Sequence, residues 1–129
     1  MALDIRNTTR GPLPRVPFAA IAEDILGSRY ELSLVVCSDA LAQRMNIEYR
    51  QKTYKPNVLS FPITAGEGEI FLNVACARRE AARASLRPLD RIAHLFVHGC
   101  LHLKGLPHGS KMDSFEKKYL LKYGFAEPQ

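Results

Sequence analysis

The chain has 129 residues, of which 47% are apolar and 24% are charged, as is typical of one globular domain. This length excludes two independent cores, and no apolar run approaches the roughly 20 residues that a membrane-spanning helix needs. Lysine and arginine outnumber aspartate and glutamate by 18 to 13, for a formal charge of +5. A basic chain favours polyanionic partners, because neutralised phosphates release their counterions.

The N-terminal segment and the cysteines indicate where the protein resides. The segment MALDIRNTTRGPLPR lacks the apolar stretch of a secretory signal, so we expect a cytoplasmic protein with no membrane partner. Cys37, Cys76 and Cys100 occur singly, and this pattern indicates reduced thiols rather than a disulfide framework. We expect all three to be small apolar core residues.

In chain order, the first part of the sequence predicts two strand–helix units. A strand over 4–7 precedes a helix that Gly27 ends, and four apolar residues of this helix recur at helical spacing: Phe18, Ile21, Ala22 and Ile25. A β-rich run over 32–37 then leads to a helix that Ser38 can cap. One face of that helix carries Leu41, Met45 and Tyr49.

The middle of the chain predicts a hairpin. A polar and basic loop over 50–57 precedes a strand over 58–61. Pro62 is predicted to terminate this strand, because proline cannot donate a hydrogen bond within a sheet. A turn over 64–68 separates it from a second strand over 69–72, so the two strands are expected to pair.

The rest of the chain predicts three helices. Asn73 can cap the first, which runs to about residue 86 and has a solvated face that carries Arg78, Arg79 and Arg83. Pro88 suits the first turn of the next helix, through Leu103, with Gly105 as its breaker. Ser110 can cap the last, which Gly124 closes and whose predicted inward residues are Met112, Phe115 and Tyr119.

These elements predict the fold class. Strands and helices of this order indicate one α+β domain over residues 1–129, in which a small mixed β-sheet packs against several helices.

A histidine cluster predicts a metal site at the end of the central helix. His98 and His102 are four residues apart, so both rings project from one helix face and can bind one ion. His94 lies on the same stripe, but roughly 12 Å of helix axis separates it from His102. Gly105 can turn the chain so that His108 approaches the pair. The favoured ligands are therefore His98, His102 and His108, whereas His94 supports the site or lies in the core.

Three histidine ligands leave a position open for water or substrate, as is typical of catalytic sites. We therefore expect one divalent transition metal ion, with zinc as the first choice, although imidazole also suits nickel and copper. The spacing matches the zinc-peptidase pattern H-E-x-x-H-x-x-G-x-x-H, but Gly99 replaces the glutamate that acts as general base there. Peptide hydrolysis by that mechanism is therefore disfavoured.

The histidine cluster is one of three sequence motifs that together resemble those of a known family. They are HGCLHLKGLPH over 98–108, MNIEYR followed by PNVLSFP over 45–62, and Gly68-Glu69-Ile70. In these motifs, in the same order, the chain resembles the YbeY endoribonucleases, whose patterns are H-G-x-L-H-L-x-G-x-D-H, N-x-x-Y-R with V-L-S-F-P, and G-D-I. Pro107 replaces the usual acidic residue and Glu69 replaces the usual aspartate, but neither change removes a ligand.

The resemblance implies a metal-dependent, single-strand-specific endoribonuclease that matures small-subunit ribosomal RNA and acts in ribosome quality control. RNA, the small ribosomal subunit and ribosomal proteins are its implied partners. The metal ion would activate water, and Arg50, matched to the motif arginine, would stabilise charge on the phosphate. The alternative for Arg50 is a salt-bridged structural arginine at a helix end. Lys52, Lys55 and Lys104 are expected to hold the RNA backbone and Ser60 to orient substrate; solvated lysines and a structural serine are the alternatives.

One function of another class stays open. A metal-stabilised assembly factor that binds RNA or a ribosomal protein without cutting would have the same charge and the same histidines. Loss of cleavage in Arg50→Ala, with fold and metal content intact, would favour the enzyme.

Overall fold

The strands and helices occur in the predicted order in a computed structural model, which describes residues 1–128. The strands are β1 (Ala2–Asn7), β2 (Glu31–Cys37), β3 (Val58–Thr64) and β4 (Glu67–Asn73). The helices are α1 (Phe18–Leu26), α2 (Asp39–Arg50), α3 (Val74–Arg83), α4 (Pro88–Leu103) and α5 (Ser110–Lys122). The fold is α+β, as the sequence predicts. No helix within the described range is long and apolar enough to cross a membrane.

The four strands form one mixed sheet with the order β1-β2-β4-β3. Strands β1, β2 and β4 are parallel, whereas β3 is antiparallel to β4 and lies at an edge. The predicted hairpin is therefore present, with Ser60 opposite Ile70. The parallel pairs require crossovers, which α1 and the α2–β3 segment provide.

Alternate residues of β2 contribute to two separate cores, because successive side chains of a strand point to opposite faces. Leu34 and Val36 belong to the larger core, together with residues of α1, α3, α4 and α5. Val35 and Cys37 belong to a smaller core that includes Ala42 of α2. The sheet therefore separates α2 from the other four helices.

Helix α4 lies at the centre of the larger core and positions the histidines. Nine of its 16 residues are buried, so it is surrounded on most sides. Phe96 of α4 packs edge-on against Phe18 of α1, with ring centroids 4.9 Å apart. After Leu103, the chain turns through Gly105, which has a φ of +100°. This turn confirms the predicted helix breaker and sends His108 back toward α4.

The prediction that Pro62 terminates its strand was wrong. Strand β3 continues through Pro62 to Thr64, opposite Gly68 and Glu67. Because β3 is an edge strand, the missing N–H of proline costs the sheet little, and the register shifts directly after Pro62. The sequence around Pro62 does not show that β3 lies at an edge of the sheet, and the prediction failed for that reason.

Several smaller predictions need correction. Tyr49 does not join the core with its helix face, because 62% of it is exposed. The Ser38 side chain makes no capping hydrogen bond, and Ser110 is the first residue of α5 rather than its cap. Helix α3 ends at Arg83, three residues early, and Cys76 is only partly buried, unlike Cys37 and Cys100. The Asn73 cap is confirmed, since its side chain accepts from the Cys76 backbone N–H at 3.1 Å.

Candidate metal centre

Three histidines converge at the C-terminal end of α4. His98 and His102 come from adjacent turns of the helix, and His108 comes from the segment after the Gly105 turn. Their ring centroids lie 4.4, 4.5 and 5.1 Å apart. One nitrogen from each ring can be chosen so that all three lie within 4.8 Å of one another. The structure thus brings together the three residues that the spacing predicts as ligands.

A buried carboxylate orients this cluster from α5. Glu116 is 6% exposed and lies between two histidines of α4. Its Oε2 is 2.6 Å from His98 Nδ1, and its Oε1 is 2.7 Å from His94 Nε2. Because Nδ1 of His98 is bound to this carboxylate, Nε2 is the nitrogen left to bind an ion.

The protonation states favour metal binding. Burial by itself raises the pKa of Glu116, but hydrogen bonds from His94 and His98 outweigh it and lower the pKa to about 2. Burial lowers the pKa of His102, and the neighbouring His98 and His108 lower it further. The site therefore combines a charged supporting carboxylate with an imidazole kept in the neutral form that coordinates metals.

His94 connects the centre to a longer hydrogen-bond network. Arg91 Nη1 lies 3.1 Å from His94 Nδ1, and an arginine can only donate. Nε2 of His94 must then carry the proton that Glu116 accepts. Both His94 nitrogens are engaged, so His94 supports the site rather than binding an ion. Arg91 also donates to Glu80, which accepts from Asn57, the residue before β3.

The histidines line an open cleft of about 730 Å³. Arg50, at the C-terminal end of α2, lies in the wall of the same cleft, as does Ser60 of β3. The guanidinium Nη1 of Arg50 is 3.5 Å from the Tyr54 hydroxyl. Two of the residues singled out by the motifs are thus in one cavity with the three histidines, although they are up to 58 positions apart in the chain.

Ser60 also has a structural contact. Its hydroxyl donates to the Gly99 carbonyl at 3.1 Å and ties β3 to α4. A Cβ at position 99 would lie 3.0 Å from this hydroxyl and 3.2 Å from Ile70 Cδ1. The tight approach of helix and strand therefore explains why glycine occupies the position where zinc peptidases carry glutamate.

The three lysines do not line the cleft. Lys52 and Lys55 are exposed on the loop after α2. The Lys104 ammonium donates to the Ile25 carbonyl at 3.0 Å, at the C-terminal end of α1. RNA contacts by these lysines stay a prediction.

The motifs alone did not reveal Glu116. It lies eight residues beyond His108 on another helix, where no metal-ligand spacing applies. A signal was nevertheless present, because Glu116 follows Met112 by four residues and precedes Leu120 by four, so it lies on the apolar face of α5. A charged residue on an inward face needs a polar partner.

Comparisons with known proteins identify the family of the chain. The family model described as endoribonuclease YbeY matches residues 15–123, which include every residue of the centre. Endoribonuclease YbeY of Aromatoleum aromaticum is 33% identical, over 98% of this chain and 87% of that protein. Endoribonuclease YbeY of Pseudomonas putida is also 33% identical, over 76% of this chain and 71% of its own length.

A solved structure has the same fold. The solution structure of a Thermotoga maritima protein superposes with a TM-score of 0.69, at 20% identity, and covers 91% of this chain and 85% of that one. With a matching family model over residues 15–123 and a relative of 33% identity along nearly its whole length, the chain belongs to the endoribonuclease YbeY family.

Proposed function

We propose that the protein is a metal-dependent endoribonuclease that hydrolyses phosphodiester bonds of single-stranded RNA in the histidine cleft. The observation that carries this proposal is the convergence of His98, His102 and His108 with Arg50 in one cavity. Relatives of the chain are named endoribonucleases, and its charge of +5 suits a polyanionic substrate.

The donor set fits a divalent transition metal ion. Three imidazoles offer neutral nitrogen ligands, and Glu116 fixes the orientation of one of them. We propose zinc as this ion, with at least one coordination position open. When bound, it supplies a Lewis acid that polarises a phosphoryl oxygen and acidifies water.

Arg50 supplies the positive charge that binds the scissile phosphate. Its side chain is exposed in the cleft, and none of the ion pairs found among residues 1–128 involves it. Its guanidinium can therefore donate two parallel hydrogen bonds to phosphate oxygens. These bonds strengthen as negative charge develops during cleavage, which lowers the barrier rather than only improving binding.

The motif resemblance supports a more specific cellular role. The RNA of the small ribosomal subunit is then the substrate, cut during its maturation and quality control in the cytoplasm. Cells that lack the protein should accumulate small-subunit RNA with uncut ends, and the wild-type gene but not Arg50→Ala should restore normal ends.

A cleavage assay with five proteins, the wild type and four variants, tests the proposed reaction. The zinc-loaded wild type should cut a labelled single-stranded RNA and leave the same sequence intact as a duplex. Arg50→Ala should lower kcat/KM by about 100- to 1,000-fold, as removal of one charge-stabilising donor does in other enzymes. Arg50→Lys should recover part of this loss, because lysine keeps the charge but not the paired donors.

Arg44→Ala is the matched control, since Arg44 is an exposed arginine of α2 outside the cleft. Its kcat/KM should equal that of the wild type. His98→Ala should not cut, and cleavage that persists in this variant would contradict a reaction that depends on the three-histidine site. RNA that stays intact with the zinc-loaded wild type would contradict the proposal and favour a binding protein that does not cut.

A further inference from the structure

Tyr54 contributes an exposed aromatic ring to the histidine cleft. The residue is 54% exposed and lies in the cleft wall with Arg50 and the three histidines. The Arg50 guanidinium approaches its hydroxyl at 3.5 Å. An aromatic surface therefore lies directly beside the cation that we assign to the phosphate. A nucleotide presents the complementary pair of features, a flat base and a phosphate.

The loop that carries Tyr54 is held in place by side chains of α2. The buried Asn46 side chain donates to the Tyr54 carbonyl at 3.0 Å, and Gln43 donates to the Thr53 carbonyl at 2.8 Å. The Lys52 backbone N–H bonds back to the Asn46 carbonyl at 3.2 Å. Because the backbone of the loop is already ordered, binding to Tyr54 incurs little additional entropic cost.

We propose that Tyr54 is a stacking platform for one unpaired base of the RNA, next to the phosphate that Arg50 binds. The inference rests on the proposed action on RNA and names the residue that selects the substrate class. Aromatic side chains bind single strands by stacking on bases with little preference for sequence. A base inside a duplex is paired and stacked on its neighbours, so it cannot reach the ring. Tyr54 therefore favours single strands over duplexes.

Tyr49 provides a matched control. It is 62% exposed, compared with 54% for Tyr54. Its ring packs against Phe61, with centroids 5.4 Å apart, and it does not line the cleft. Any general loss of aromatic surface from this region would appear in Tyr49→Leu as well as in Tyr54→Leu.

Fluorescence anisotropy with a labelled single-stranded RNA octamer tests the platform. In a series of octamers, each nucleotide in turn lacks its base, and zinc-loaded protein is titrated at low temperature to measure Kd. For the wild type, removal of the base at one position should weaken binding by roughly 5- to 100-fold. Tyr54→Leu should weaken binding of the intact octamer by a similar factor and should be insensitive to base removal at that position.

The control variants sharpen the outcome. Tyr54→Phe should retain the wild-type Kd, since it keeps the ring, and Tyr49→Leu should retain both the Kd and the position dependence. An unchanged Kd in Tyr54→Leu, or a position dependence that survives the substitution, would overturn the inference.

Cleavage of the same octamers separates this inference from the proposed function. A wild type that cuts RNA while Tyr54→Leu binds normally would contradict only the platform. A wild type that binds through Tyr54 without cutting would contradict only the nuclease proposal. Absence of octamer binding would overturn both.

Discussion

Glu116 binds two histidines of α4 at once, at 2.6 and 2.7 Å, and so controls which nitrogen of His98 faces the centre. A carboxylate in this position raises the basicity of the imidazole and fixes its rotation. The position of Glu116 matters more in this chain because Pro107 replaces the acidic residue of the motif H-G-x-L-H-L-x-G-x-D-H. The buried carboxylate next to the three histidines thus comes from α5 and not from the histidine motif.

We predict that Glu116→Gln weakens zinc binding by about 10- to 100-fold while the protein stays folded. The amide retains the shape of the side chain but cannot accept from both histidines as a charged carboxylate does. Competition with a chelating dye measures the affinity, and circular dichroism checks the fold. Glu48→Gln, at an exposed carboxylate of α2, is the control and should bind zinc like the wild type. Equal affinity in Glu116→Gln would show that this carboxylate does not support the ligands.

At the scale of residues, the sequence predicts those features that local geometry determines. The spacing of His98 and His102 on a helix and the Gly105 turn predict how three rings meet, and the structure confirms it. Glu116 and Arg91 could not be assigned in this way, because their contacts depend on how α5 and α3 pack against α4. The packing of separate helices is not encoded in a short motif.

The approach of β4 to α4 depends on a glycine. A Cβ at Gly68 would collide with the Tyr30 hydroxyl and would lie 2.9 Å from Leu103 Cδ2. Leu103 is the last residue of α4, between the histidine pair and the Gly105 turn. A displaced Leu103 would therefore also disturb the path of the chain to His108.

We predict that Gly68→Ala lowers the free energy of unfolding by about 1 to 3 kcal/mol, the usual cost of overpacking a core. Gly66→Ala is the matched control, because a Cβ at Gly66 meets nothing within 4 Å. Its free energy of unfolding should change by less than about 0.5 kcal/mol. Urea denaturation of the three proteins measures both differences. An unaltered midpoint for Gly68→Ala would mean that helix and strand can separate without cost.

At the scale of elements, the sequence predicts the type and order of the helices and strands well, but it predicts poorly where a strand ends. Helix α4 is recognisable from Pro88 and Gly105, which mark its two ends. Strand β3 is harder, because proline ends an inner strand yet is tolerated at an edge. Whether Pro62 lies at an edge depends on strand order, which the residues around it do not encode.

At the scale of the whole molecule, a hydrogen bond connects the start of α4 to the C-terminal segment. Asp90 is 7% exposed, accepts two hydrogen bonds from Arg87, and accepts a third from the Ala126 backbone N–H at 3.0 Å. The Arg87 hydrogen bonds outweigh the effect of burial and lower the pKa of Asp90 below its usual 3.8, and the Ala126 N–H lowers it further. The charged form of this carboxylate therefore stabilises the folded chain.

We predict that Asp90→Asn lowers the free energy of unfolding by about 1 to 3 kcal/mol near neutral pH. Since the pKa is lower in the folded state, the stabilisation is complete above the unfolded value of 3.8 and is lost as pH falls through the folded value. The difference between wild type and variant should thus shrink in acid. Urea denaturation across this pH range measures it, with the exposed Asp4→Asn as control. A difference independent of pH would exclude the charge as its cause.

At the scale of the molecule, the α+β class follows from the order of elements, but the placement of helices does not. The sequence does not show that α2 packs alone on one face while four helices share the other. Residues of β2 alternate between these two cores, yet Leu34, Val35 and Val36 are all apolar. The strand therefore has no alternation of polar and apolar residues that would distinguish the two faces of the sheet. The shared cleft of Arg50 and the histidines depends on this placement.

Zinc titration of metal-free protein during RNA cleavage is the most direct test of the central claim, that a three-histidine metal centre drives hydrolysis of RNA. Protein stripped with a chelator should be inactive, and its activity should rise linearly with added zinc and saturate at about one equivalent per chain. His98→Ala and His108→Ala should stay inactive at the same zinc concentration. Full activity in the stripped wild type, or restoration of either variant by one equivalent, would contradict the account.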